Sequence, residues 1–145
     1  MAARESLGFE GDLASDCAHL GPDIAALDGA GAQIHAMRDL TRGGLAAALV
    51  ELCRDAGVGA TVDERRVPVH PAVAGACELL GLDSLHVACE GRLVAFVADP
   101  APAPPPPFVE IGRVGETGAS VELIAATGIA RPLDLPSGLL LPRIC

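Results

Sequence analysis

Residues 33–59 set a strand, a double-glycine turn and an amphipathic helix in immediate succession. This run constrains the fold more than any other. Gln33-Ile34-His35-Ala36-Met37-Arg38 alternates like a strand. Asp39 or Thr41 is placed to cap the helix that follows, whose apolar positions Leu45, Ala48, Leu49, Leu52, Cys53 and Ala56 keep the helical period. Gly57 and Gly59 then stop it.

The rest of the chain reads around that unit. An irregular stretch, Leu7 to Leu20, precedes a short helix near Pro22 to Asp28. Ala60-Thr61-Val62-Asp63 and Val67-Pro68-Val69 suggest short strands, and Pro71 opens a helix through Ala72 to Leu80 that Gly81 ends. Arg92 to Ala98 is continuously apolar after its first residue, as expected of a central strand buried on both faces. Ala101 to Pro107 holds five prolines, which forbid both helix and ladder pairing, so it is expected to be an extended surface connector. Val109 to Val114 and Ser120 to Ile124 alternate like a hairpin around Gly115 to Gly118. The sum is an α+β domain, a mixed β-sheet with packed helices, spanning residues 1–135 and followed by a flexible arm over 136–145.

Composition narrows the function. Three Phe and no Trp or Tyr leave an aliphatic core and no stacking platform for bases or sugars. All ten basic residues are Arg, which removes lysine chemistry, and a formal charge of −9 argues against nucleic acid or an anionic membrane as partner. Without a signal-peptide layout or an apolar run of membrane-spanning length, the expected location is cytoplasmic. Five scattered cysteines with no Cys-x-x-Cys indicate neither a disulfide framework nor a zinc knuckle. Cys17 with His19, and Cys77 with His86 and Cys89, lack paired ligand spacing, so no metal site is expected; core thiols and surface histidines account for them.

Three places carry candidate chemistry. Cys145 is the last residue, on a ten-residue segment that, extended at about 3.3 Å per residue, reaches roughly 33 Å. Its thiolate is opposed by the adjacent α-carboxylate, which suits a carrier loaded by a partner better than a self-activated nucleophile; a frayed terminal cysteine is the plain alternative. Arg38-Asp39-Leu40-Thr41-Arg42-Gly43-Gly44-Leu45 leads through two glycines into a helix N-terminus. That geometry fits an anion site and equally fits ordinary capping with close packing. Glu90, just before the apolar strand, is placed to act as a general base or to stand as a solvated acid paired with Arg92.

Taken together, Leu7-Gly8-Phe9-Glu10, Ser15-Asp16-Cys17-Ala18, the Arg38 to Leu45 turn, Ala88 to Gly91 and the terminal Pro142-Arg143-Ile144-Cys145 resemble the C-terminal half of the HypE family of hydrogenase-maturation proteins. The tail is the most specific part, because aminoimidazole ribonucleotide synthetase and selenophosphate synthetase share the general fold without it. The resemblance implies that Cys145 accepts a carbamoyl group from the carbamoyltransferase HypF. ATP with Mg then activates the carboxamide oxygen, and dehydration leaves an S-cyanated cysteine, whose cyanide passes to iron held by HypC and HypD. Glu90 matches the family's Ala-Asn-Glu-Gly glutamate and would be the base. Asp39, Thr41, Arg42, Gly43 and Gly44 match the family's glycine turn and would face nucleotide phosphates or the incoming tail.

Leu40 stands where the family turn has Pro, Cys89 where it has Asn, and the proline connector where it commonly has a helix. The family's N-terminal ATP-binding domain, with much of its homodimer interface, has no counterpart in the 145 residues. The chain alone is therefore expected not to turn over ATP, and to leave an apolar face uncovered. The rival expectation is a noncatalytic remnant or partner-binding module that keeps the fold.

Overall fold

The computed structural model describes residues 15–115 and 118–135. Helix α1, Gly21–Gly29, opens with Pro22 in its first turn, where a missing N–H costs nothing, and buries Leu27. Strand β1, Ile34–Leu40, alternates inward and outward as its sequence does. Helix α2, Gly44–Ala56, is the centre of the domain, touching β1 and the strands β2 (Gly59–Asp63), β3 (Cys89–Val97) and β5 (Val121–Ile124). Helix α3, Pro71–Leu80, starts at His70, whose Nδ1 accepts the Ala72 N–H at 3.2 Å. Strands β4, Gly112–Gly115, and β6, Ala130–Pro132, complete the described elements.

Two sheets result. β1 and β3 form an antiparallel ribbon, and β4-β2-β5-β6 form a mixed sheet in which only β2 and β5 run parallel. α2 lies against both, through Leu45, Ala46, Ala48, Leu49 and Cys53, and the core continues into Val62, Val94, Val121, Leu123 and Leu133. Alanines on the inner face let the helix approach its neighbours closely. Arg38 on β1 pairs with Glu51 on α2, both side chains part-exposed. Such a pair contributes at most about 1 kcal/mol, whereas truncating the fully buried Leu123 to Ala would cost roughly 2–5 kcal/mol. Aliphatic packing therefore governs stability. None of the described helices is long and apolar enough to cross a membrane.

Four expectations need correction. β3 is not central: β1 is its only partner among the described residues, and of its side chains only Val94 is buried. Val67–Val69 is not a strand. Asp63 holds Arg65 through both carboxylate oxygens and accepts its N–H, winding Glu64–Arg66 into a 3₁₀ turn, and Pro68 has no N–H for a ladder. The Arg65 guanidinium beside Asp63 holds that carboxyl below its ordinary range. The segments flanking residues 115–118 do not pair as a hairpin, because β2 lies between β4 and β5. Neither Asp39 nor Thr41 caps α2: its N-cap is Gly43, in the left-handed region, with no side-chain bond to the first turn. The proline connector is, as expected, mostly exposed and without strand or helix.

Gly44 shows what the double glycine is for. Its φ is +62°, and a Cβ there would sit 2.5 Å from the Leu85 carbonyl oxygen and 2.6 Å from that of Val87. The start of α2 is thus seated against the short 3₁₀ turn Ser84–His86 and the residue after it. Gly44→Ala combines left-handed strain of about 1–3 kcal/mol with a backbone clash of about 1–3 kcal/mol. We expect urea denaturation to register a loss of roughly 2–6 kcal/mol. Gly75→Ala, in α3 with nothing near its missing Cβ, should instead stabilise by about 0.5–1 kcal/mol. A neutral Gly44→Ala would contradict this packing.

The thiols supply a second test. Burial pushes Cys53, Cys77 and Cys89 up from the ordinary thiol value of 9.0, with the Asp83 carboxylate adding to the shift of Cys77 and Asp16 to that of Cys89. With no Lys and no Tyr, thiols are the side chains that titrate at alkaline pH. The folded state keeps these protons after the unfolded chain releases them, so the stability they contribute is intact below pH 9.0 and falls as pH rises through the folded values. The urea midpoint should drop as pH rises above 9.0, and Cys53→Val should shrink the drop. A midpoint independent of pH would refute the assignment.

Candidate functional site

The two internal candidate segments meet at one end of the β1/β3 ribbon. Asp39 lies opposite Leu93 and Leu40 opposite Cys89, so one step along β1 spans Glu90, Gly91 and Arg92 on β3. Glu90 is therefore carried on a three-residue bulge, and it is exposed. The glycine turn begins immediately beyond the last rung. Within it, the Thr41 hydroxyl donates to Asp39 Oδ1 at 2.9 Å, so these two side chains bind each other and leave the first turn of α2 without a side-chain cap. Arg42 is exposed, while Arg38 is engaged with Glu51.

Gly44 packs on the Leu85 and Val87 carbonyls, and two residues after Val87 comes Cys89. The turn, the 84–87 segment and the bulge are therefore one connected assembly. An open cleft of about 1770 Å³ runs beside the ribbon, and Asp16, Cys89 and Glu90 lie on its wall with Leu49, Phe96 and Phe108. Among the described residues no group of three or more His, Cys, Asp or Glu is placed to hold a metal ion.

Two residues belong to the assembly that sequence reading left without a role. Asp16 Oδ2 accepts the Glu90 backbone N–H at 3.0 Å. Its carboxylate also lies against Cys89 and, after burial, is the next contributor holding that thiol protonated. Ser15-Asp16-Cys17-Ala18 was legible as a motif, but nothing in it named a contact 74 positions away. His86, expected at the surface, has a side chain only 15% exposed. Its Nε2 lies 3.2 Å from the Asp134 carbonyl oxygen, and Nδ1 lies 3.6 Å from Asp83 Oδ2, which also receives Arg131 at 3.2 Å. The last described residues are thereby fastened to the turn that leads to Glu90. Cys145 and the whole expected arm, together with Leu7-Gly8-Phe9-Glu10, lie outside the described residues.

The model of the family described as AIR synthase related protein, C-terminal domain, matches residues 1–124. The chain is 43% identical over 156 residues to a carbamoyl dehydratase HypE of Rhodobacter capsulatus, an alignment covering 100% of this chain and 46% of that protein. A hydrogenase maturation protein HypE solved in complex with ATP superposes with a TM-score of 0.81 at 29% identity, covering 96% of this chain and 47% of the other. A chain from a HypE–HypF complex superposes at 0.78 and 32% identity, covering 93% and 47%. The chain spans about half the length of the curated relatives it matches. It belongs to the AIR synthase related protein family, as a C-terminal domain of the HypE type.

Proposed function

We propose that this chain is the carbamoyl-carrying half of a HypE-type carbamoyl dehydratase in hydrogenase maturation. The observation that carries the reading is identity of 43% over the whole chain with a relative named for that activity. In this reading residues 1–135 form the domain and residues 136–145 a swinging arm, with ATP bound mainly by a separate ATP-binding half. The likeness to a HypE solved with HypF supports HypF as the donor partner; HypC and HypD as iron-carrying acceptors, and a homodimer of the complete enzyme, follow from the family resemblance. The expected compartment is the cytoplasm.

The chemistry assigned to the residues is as follows. The Cys145 sulfur attacks the carbamoyl carbon presented by HypF and loses its proton, the bond from that carbon to the group that carried it breaks with its electron pair leaving on that group, and the cysteine holds the product as an S-carbamoyl thiocarbamate. ATP supplies the phosphoryl group that makes the carboxamide oxygen a leaving group. The thiocarbamate nitrogen loses one proton as the carboxamide oxygen takes the phosphoryl group and the second as the C–O bond breaks and phosphate departs; Glu90 is the group assigned to accept an N–H proton, and the nitrogen's electron pair forms the third bond of the nitrile. An exposed carboxylate on a bulge beside an open cleft suits that role, because the substrate arrives on a long tether and must be met at the surface. Asp39, Thr41, Arg42, Gly43 and Gly44 are assigned to receive anionic phosphate or the tail. The α2 N-terminus, which has no side-chain cap hydrogen bond among the described residues, supports this assignment through the positive end of its dipole.

Intact-protein mass spectrometry after incubation with HypF, carbamoyl phosphate and ATP tests the carrier role. A carbamoyl adduct that disappears in Cys145→Ala, in a chain that still folds, is expected. No adduct with an active transferase would favour a noncatalytic module. In a preparation supplemented with an ATP-binding half, Glu90→Gln should load normally and dehydrate roughly 10²–10⁴-fold more slowly. Unchanged dehydration would remove Glu90 from the mechanism.

A further inference from the structure

A bulge that carries a catalytic base needs something to hold it. Three residues across one ladder step interrupt the strand pairing that would normally orient them. A peptide N–H that leaves a ladder must find another acceptor or return to water. For Glu90 that acceptor is the Asp16 carboxylate, at 3.0 Å. The neighbouring residue is held from the same side. A Cβ on Gly91 would fall 1.9 Å from the Asp16 carbonyl oxygen and 3.1 Å from the Ala18 Cβ, so the 16–18 segment crosses the bulge in backbone contact. One residue therefore grips the bulge by side chain and by main chain.

We infer that Asp16 is the positioning residue for Glu90, fixing the direction in which the bulge presents its carboxylate by accepting the Glu90 N–H and bracing Gly91. The inference rests on Glu90 being the base, as proposed above. Asp16 touches no reacting atom. It acts by narrowing the positions open to Glu90, and a misplacement of about 1 Å at a reacting group costs on the order of 10² in rate. Because Asp16 is exposed and outside the core cluster, its truncation does not threaten the packing that holds the fold.

The test uses Asp16→Ala, Asp16→Asn and Gly91→Ala in the chain reconstituted with an ATP-binding half, HypF, carbamoyl phosphate and ATP. Loading of Cys145 should be unchanged in all three. Dehydration should fall about 100-fold in Asp16→Ala and in Gly91→Ala, and Asp16→Asn, which keeps a carbonyl acceptor, should restore most of it. The Glu90 amide proton resonance should move upfield in Asp16→Ala, as expected for a lost hydrogen bond, and stay close to its original position in Asp16→Asn. Wild-type dehydration in a folded Asp16→Ala, or no rescue by Asn, would overturn the positioning role. The base reading fails separately, if Glu90→Gln dehydrates normally; an unmoved Glu90 amide in Asp16→Ala would then still refute the contact on its own.

Discussion

The contact on which the remaining geometry depends is the seating of Gly44 against the carbonyl oxygens of Leu85 and Val87. A helix start can approach another backbone this closely only where a side chain is missing, and only a glycine takes the left-handed conformation there without strain. The approach brings α2, which carries much of the aliphatic core, against the segment that runs into Cys89 and Glu90. The same segment is fastened to the end of the described chain through His86 and Asp134, and to its beginning through Asp16 and Glu90. The glycine turn therefore has a packing reason that stands apart from any anion-binding one. In this chain the first is written in interatomic distances, and the second belongs to the proposed function.

What was legible in the sequence is what depends on neighbours in the chain. Pro71 and Gly81 bound α3 at the residues expected, because a missing N–H and a left-handed cap act locally. Strand β1 was legible from alternation, but alternation tells that a segment is a strand and not which strand lies beside it. The order β4-β2-β5 therefore came only from the structure. Continuous apolarity in Arg92–Ala98 suggested a strand covered on both sides, whereas here its single described partner leaves most of it part-exposed. The same limit applies to the site. Glu90 and the glycine turn were singled out from the residues and given roles by family resemblance, and the register put them at one end of one ribbon. Asp16 and His86 act across 74 and 48 positions, a distance no local pattern encodes.

The residue types absent from the chain matter to its chemistry. Without Lys, the chain has no side-chain ammonium to offset the α-carboxylate beside the proposed carrier thiol, and the formal charge of −9 gives the surface no general affinity for nucleic acid. Thiolate chemistry must then come from a partner or from placement. Three thiols are held protonated, Cys53 by burial, Cys77 by burial and the Asp83 carboxylate, and Cys89 by burial and the Asp16 carboxylate, which leaves these three poor competitors for an electrophile. The proposed carrier role of Cys145 thus rests on a division between these protonated thiols and a cysteine on a reaching arm.

The most direct test of the account is the infrared spectrum of the carbamoyl-loaded chain after addition of an ATP-binding half and ATP. Conversion of the Cys145 thiocarbamate to a thiocyanate would produce a nitrile stretch at that cysteine, and the account predicts its appearance. A carbamoyl adduct that persists with no nitrile band, while the same ATP-binding half dehydrates its own C-terminal domain, would contradict it.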